Sequence, residues 1–206
     1  SWERWAAHIP YPCELLNDAN AAGITEDVCC KRPDSNLVYL SLSNSVGGAV
    51  IFADEMKSNE GIPAITDNTT MYMGNNWRSG EFGHMVIHPE GKTCYCGKKG
   101  CLDAYCSALN LAELEDGNLR AFFDKMESGK EEYRQIWDEY LDNLAIAVDN
   151  LRMCFDCEVV LGGYVGNYMK PYIGRFQSLA AEKNIFSGGG EYVRVCQCRE
   201  EASAYG

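Results

Sequence analysis

Apolar residues along this chain come first in short runs and later in a helical rhythm. Leu37–Leu42 (LVYLSL) and 48–53 (GAVIFA) are compact apolar runs bounded by turn residues, which predicts two strands. Between them Ser43-Asn44-Ser45-Val46-Gly47 reads as a tight turn whose backbone amides can face an anion. Upstream, residues 2–7 read as the end of a helix. Ile9-Pro10-Tyr11-Pro12 is an extended entry, because each Pro biases its predecessor away from helical φ/ψ. Residues 13–16 then form a short strand that delivers Asn17 and Asp18 to its carboxyl end, with Asp18 expected to cap a helix over 19–28. Residues 31–36 read as a turn. The polar stretch 55–79 is expected to be a long excursion over a ligand cleft.

The second half is mostly helical in pattern. Helices are expected over 102–114 and 116–130, the latter bracketed by Asp-Gly and Ser-Gly pairs. The longest, over 131–155, places Tyr133, Trp137, Tyr140, Leu144, Val148 and Leu151 three or four apart, a stripe suited to core packing. A buried strand over 158–161 ends in Gly162-Gly163, a helix follows over 167–183, and 192–198 reads as a strand. A strand pair, then helices, then β-α-β fits one lobe of an actin-like, ribonuclease-H-like α/β fold. We read residues 1–206 as a single such unit.

Composition narrows the function. A hydrophobic share of 46% and a charged share of 23% are those of a soluble globular protein. No apolar run approaches the ~20 residues that span a bilayer, so no membrane contact is expected. A net charge of −12 makes the chain a poor partner for phosphate backbones, so any contact with DNA is expected from a domain outside it. Eleven cysteines are an odd count, and no amino-terminal apolar leader is visible, which points to a reducing, cytoplasmic setting. The start at Ser1 and the end at Gly206 read as those of a piece of a larger protein.

Residues 80–106 (GEFGHMVIHPEGKTCYCGKKGCLDAYC) carry the strongest chemistry. His84, Cys94, Cys96 and Cys101 offer one imidazole and three thiolates, the soft donor set of a closed, tetrahedral structural zinc site. We therefore expect a zinc-binding loop inserted in the fold.

This stretch resembles the signature of the ROK family (repressors, open reading frames and sugar kinases): G-E-x-G-H, then C-x-C-G-x-x-G-C, with an acidic residue two positions on, Asp103. N-D-A-N-A-A at positions 17–22 and the V-x-L-G-G segment formed by Val159, Val160, Leu161, Gly162 and Gly163 extend the similarity through nearly the whole chain. The resemblance implies the same actin-like fold in two lobes, with the amino-terminal lobe outside this chain. It also implies a dimeric or tetrameric homo-oligomer. Sugar contacts are implied for Asn17, Asp18, Glu81, His84 and Asp103, and a catalytic-base role for Asp18 in any kinase of this type. Ser43, Asn44, Gly47, Gly162 and Gly163 would lie along the nucleotide.

Three departures bear on activity. The family has Glu where this chain has Asp103. Its kinases carry G-T-G-x-G-G-G where this chain has Ser43 to Ala49, so three glycines are replaced and added Cβ atoms crowd a phosphate. The D-x-G-x-T phosphate motif is absent, so ATP and Mg2+ are expected only in the full two-lobed protein. The leading expectation is the sugar-sensing lobe of a transcriptional regulator for a hexose or N-acetylhexosamine; the alternative is an ATP-dependent sugar kinase. Cys154-x-x-Cys157, the alternating Cys196 and Cys198, and His8 and His88 read as packing or surface residues.

Overall fold

A computed structural model describes residues 8–11, 16–30, 35–53, 64–66, 69–186 and 188–198. The expected helix end at 2–7 lies outside them, as do most of the strand at 13–16, most of the turn at 31–36 and much of the excursion at 55–79. Among the described residues one sheet has six strands: β1 (Leu37–Leu42), β2 (Val46–Ala53), β3 (Ala64–Thr66), β4 (Thr69–Met71), β5 (Glu158–Gly162) and β6 (Val193–Val195). Their order is β3-β4-β2-β1-β5-β6, with β1 parallel to β5, β5 parallel to β6 and the remaining pairs antiparallel. The excursion thus contributes a β3–β4 hairpin to the sheet edge.

Every residue of β1 is buried, which is why it reads as an unbroken apolar run: helices cover both faces. Alternation sorts its side chains. Leu37 and Tyr39 join Ala49, Ile51 and Val160 beneath Ala22 of helix α1 (Asp18–Cys30). Val38, Leu40 and Leu42 point the other way, into the main core with Val159, Leu161 and the long helix.

Between β4 and that long helix lie α2 (Asp103–Cys106), α3 (Leu109–Ala112) and α4 (Leu119–Glu127); the long helix itself is α5 (Glu131–Phe155). The α5 bounds match the sequence pattern, and Trp137, Tyr140, Leu144, Val148 and Leu151 are buried as the stripe requires. Tyr133 is only half-buried, its ring tilted against Phe122. After β5 come α6 (Gly163–Gly166) and α7 (Ile173–Lys183).

Four elements differ from expectation, each for a local reason. The helix over 102–114 is broken into α2 and α3 because Ala108 N–H donates to Ser43 O at 2.7 Å, so Ser107 turns to extended geometry. The helix over 167–183 begins only at Ile173, since Pro171 sits in a preceding 3-10 turn (Lys170–Tyr172) and supplies no N–H. The turn at 43–47 is tighter: Leu42 pairs with Val46, leaving a three-residue tip. The strand over 192–198 stops at Val195, because the Gln197 and Cys198 amides donate to the Glu26 carboxylate at 2.9 and 3.2 Å.

Glu26 itself is fully buried. Arg194 pairs with it and with Glu158, the latter at 2.7 Å. Burial pushes the Glu26 carboxyl up, but the Cys196 and Cys30 thiols and the Arg194 guanidinium outweigh that and hold it below its ordinary range. Its stabilising contribution is therefore present above the unfolded carboxylate range and fades as pH falls through the folded value. Replacing Glu26 with Gln should cost about 3–5 kcal/mol in urea unfolding at neutral pH, as for a broken buried pair. The gap to wild type should narrow on acidification.

Candidate functional site

The residues singled out above gather around the tip of the β1–β2 hairpin. The first turn of α1 lies beside it: a Cβ on Gly47 would stand 3.2 Å from Ala19 Cβ. On the other flank, Gly80 adopts a left-handed φ of +83°, and any side chain there would strike Gly48 O at 2.1 Å. Only glycine allows that approach of two backbones. It seats Glu81 and the 3-10 turn Phe82–His84 directly on the start of β2. Glu81, Asn17 and Asp18 are all solvent-exposed around this point.

The helix cap differs from expectation. Asn17 Oδ1 accepts from Asn20 N–H at 2.7 Å, so Asn17 is the capping residue. Asp18 falls inside the first turn, with Oδ1 on its neighbour Ala19 N–H at 2.9 Å.

His84, Cys94, Cys96 and Cys101 converge as their spacing implies. Their ligand atoms all lie within 4.8 Å of one another, the only such group of three or more His, Cys, Asp or Glu among the described residues. Cys96 Sγ is 3.7 Å from Cys101 Sγ, and Cys94 Sγ is 3.8 Å from His84 Nδ1. These separations are far too long for a disulfide and match the roughly 3.8 Å edge of a tetrahedron built on metal–sulfur bonds of about 2.3 Å. Backbone bonds hold the knuckle: Cys94 N–H to Lys98 O at 2.8 Å and Gly97 N–H to Cys94 O at 2.9 Å. With Nδ1 facing the thiols, His84 turns Nε2 to the Tyr95 hydroxyl at 3.3 Å. Tyr95, 73% exposed, had no signal in the sequence beyond its place between two cysteines.

Asp103 is buried, and its Oδ1 accepts the Val46 N–H at 2.5 Å. It thus ties the cysteine loop to the hairpin. Burial raises its carboxyl above the usual range, against the pull of Val46 N–H and the nearby His84.

The expected nucleotide-side residues also come together. Gly163, with φ of +76°, packs so closely on the hairpin that a Cβ would stand 2.6 Å from Leu42 N and 2.7 Å from Ser43 Oγ. Ser43 Oγ is 3.1 Å from Ser41 Oγ, and Ser43 O accepts from Ala108. Gly162 lies against the Tyr39 hydroxyl. Asn44 sits between two grooves. One, of about 530 Å3, is lined by Ser45, Thr93, Tyr95, Asp103, Asn110 and Glu113; the other, of about 270 Å3, by Leu109, Leu119, Tyr164, Asn167 and Tyr168. Asn110, Tyr164 and Asn167 were not legible beforehand, as each reaches the hairpin only through the fold.

Among the remaining residues, His88 is not an ordinary surface side chain: it is half-buried, bonded to Asn143 Oδ1 and edge-on to Tyr105. Cys157 is buried and its thiol is pushed up to about 11, chiefly by burial, while Cys154 is exposed. That pair reads as packing. Cys196 and Cys198 do pack on the smaller core, but from beyond the end of β6.

The chain belongs to the ROK family, whose model matches residues 3–206. It is 30% identical to an N-acetylmannosamine kinase of Vibrio cholerae serotype O1 over 161 residues, covering 75% of this chain and 51% of that protein. An N-acetylmannosamine kinase of Escherichia coli O1:K1 is 28% identical over the same length, with 50% of it covered. The chain therefore spans about half the length of the curated relatives it matches. Among solved structures, the ROK hexokinase of Thermus thermophilus superposes with a TM-score of 0.69 at 23% identity, over 94% of this chain and 63% of that one. A ROK family transcriptional regulator, a homolog of the E. coli MLC protein, gives 0.73 at 17% identity, over 100% and 52%. These likenesses establish the fold, in which enzymes and regulators share one α/β framework. No helix among the described residues is long and apolar enough to cross a membrane.

Elemental analysis of the purified protein should give one tightly held metal ion per chain. Cys101→Ala should abolish it and lower the melting temperature sharply, because metal binding at such sites contributes directly to folding.

Proposed function

We propose that this chain is the carboxy-terminal, zinc-holding lobe of a ROK-family regulator that senses a hexose or N-acetylhexosamine. The observation that carries this reading is the hairpin tip. Where a kinase needs bare glycine amides against a phosphate, Ser43 already has its hydroxyl beside Ser41 and its carbonyl committed to Ala108. Meanwhile the polar groups suited to a polyol, Asn17, Asp18 and Glu81, stand exposed around the same hairpin.

In this reading the zinc ion is structural. His84, Cys94, Cys96 and Cys101 would hold it, and with Nδ1 turned to the thiols His84 would offer Nε2–H as a donor, to a sugar hydroxyl or, without one, to Tyr95. Asn17 has its Oδ1 engaged in capping and offers its amide NH2. Asp18 and Glu81 accept hydrogen bonds from sugar hydroxyls, and charge-assisted bonds of that kind orient a polyol strongly. Asp103 acts on the sugar through Val46 or with its remaining oxygen. DNA contact belongs to a domain outside this chain, and a dimer or tetramer is the expected assembly.

The kinase relatives favour a second reading. Asp18 would then accept the proton of the attacking sugar hydroxyl as the new P–O bond forms. The Gly47 and Gly162-Gly163 backbone would lie along ATP-Mg2+, held jointly with the other lobe.

Calorimetric titration of the full-length protein with N-acetylmannosamine, N-acetylglucosamine and glucose separates the two. Binding of one sugar in the absence of ATP, with no sugar-dependent ADP release, is the expected result. Glu81→Gln should weaken that binding by about tenfold to a hundredfold, since a hydrogen bond to a charged group contributes about 1.5–3 kcal/mol. Sugar-dependent ADP release that vanishes in Asp18→Asn would establish the kinase instead, and absence of binding to every sugar would overturn both.

A further inference from the structure

Away from the hairpin, the carboxyl end of α1 and the segment after β6 bring four thiols around one carboxylate. Glu26 Oε1 accepts from the Cys30 thiol at 2.9 Å, and Oε2 accepts from the Cys196 thiol at 2.9 Å and from the Gln197 and Cys198 amides. Held in this way, the Cys198 thiol reaches α1 and donates to Thr25 O at 3.8 Å. Thr25 and Cys29 are one helical turn apart, so this contact sets the Cys198 sulfur over the turn that bears Cys29. Cys29 is thus the thiol that neighbours Cys198 from α1. Cys29 is exposed, whereas Cys30, Cys196 and Cys198 are half-buried. No three of these ligand atoms converge as a metal would require; among the described residues only the His84 quartet does. Two neighbouring thiols, one open to solvent, on segments far apart in sequence make instead the arrangement of a closable disulfide.

We propose that Cys29 and Cys198 form a reversible disulfide site addressed by hydrogen peroxide. The Cys29 thiolate attacks the O–O bond of the peroxide. One oxygen stays on sulfur as a sulfenic acid, and the other leaves with a proton as water. The Cys198 sulfur then attacks the Cys29 sulfur, its proton passes to the departing hydroxyl, and a second water is released. Two thiols lose two electrons and one peroxide becomes two waters, so the step balances.

The surroundings assign the order of attack. Burial and the neighbouring Cys29 thiol push Cys198 up to about 12, and burial together with Glu26 raises Cys196 further. Exposed Cys29 is thus the sulfur that starts the reaction and Cys198 the one that resolves it. The bridge would fasten α1 covalently to the outer edge of the sheet, where hydrogen bonds to Glu26 and Thr25 now hold it.

Treating the full-length protein with one equivalent of hydrogen peroxide, then mapping peptides without reduction, tests this. The Cys29 and Cys198 peptides should appear linked and two hydrogens lighter than their sum, and dithiothreitol should reverse the link. Oxidised wild type should melt at a higher temperature than reduced. Cys29→Ser should abolish both changes, and Cys30→Ser should leave both in place. Absence of this linked pair in wild type, or a Cys29–Cys30, Cys30–Cys196 or Cys196–Cys198 product in its place, overturns the proposal without bearing on sugar binding.

Discussion

One buried hydrogen bond, from the Val46 amide to the Asp103 carboxylate, joins the two halves of the ligand-facing region. Asp103 follows the last cysteine of the metal loop by two positions, and Val46 is the first residue of β2. The bond therefore transmits the position of the cysteine loop to the hairpin. Gly80 and Gly48 add a second constraint, backbone against backbone, that leaves Glu81 no freedom to drift from the strand. Phe82 and Met85 packed on the main core, with Ile87 and Leu102 inside it, complete the attachment of this loop to the sheet.

What local patterns determine was legible in the sequence. The bounds of α5 could be read because a stripe of Trp137, Tyr140, Leu144, Val148 and Leu151 is a one-dimensional record of burial. The convergence of His84, Cys94, Cys96 and Cys101 could be read because residue identity and spacing are themselves the signal. The break between α2 and α3 could not, since its cause, Ser43 O, is more than sixty residues away along the chain. Nor could the choice of cap: Asn17 and Asp18 are adjacent and both good cap formers, so the packing of Ala19 and Ala22 on the sheet decides between them. Glu26 was invisible for a different reason. A glutamate mid-helix reads as solvent-facing, and only its Arg194 and thiol partners, contributed from the other end of the chain, make its burial tolerable.

Kinase-like and regulator-like ROK proteins superpose on this chain equally well at low identity, so the framework does not separate them. The separation rests on small changes at the hairpin tip. In the reading proposed above, Ser43, with its hydroxyl turned to Ser41, stands where a kinase of the family carries bare glycine.

Helix α1 has thirteen residues, a rod of about 20 Å. Asn17 and Asp18 stand at one tip, and at the other Glu26 grips the strap that leaves the outer strand. The rod is also packed along its length on the sheet, with Gly23 so close to Ala49 that a Cβ there would stand 2.8 Å from it, so clamp and first turn belong to one stiff element. The segment after the outer strand thereby helps fix where the first turn of the helix stands beside the hairpin.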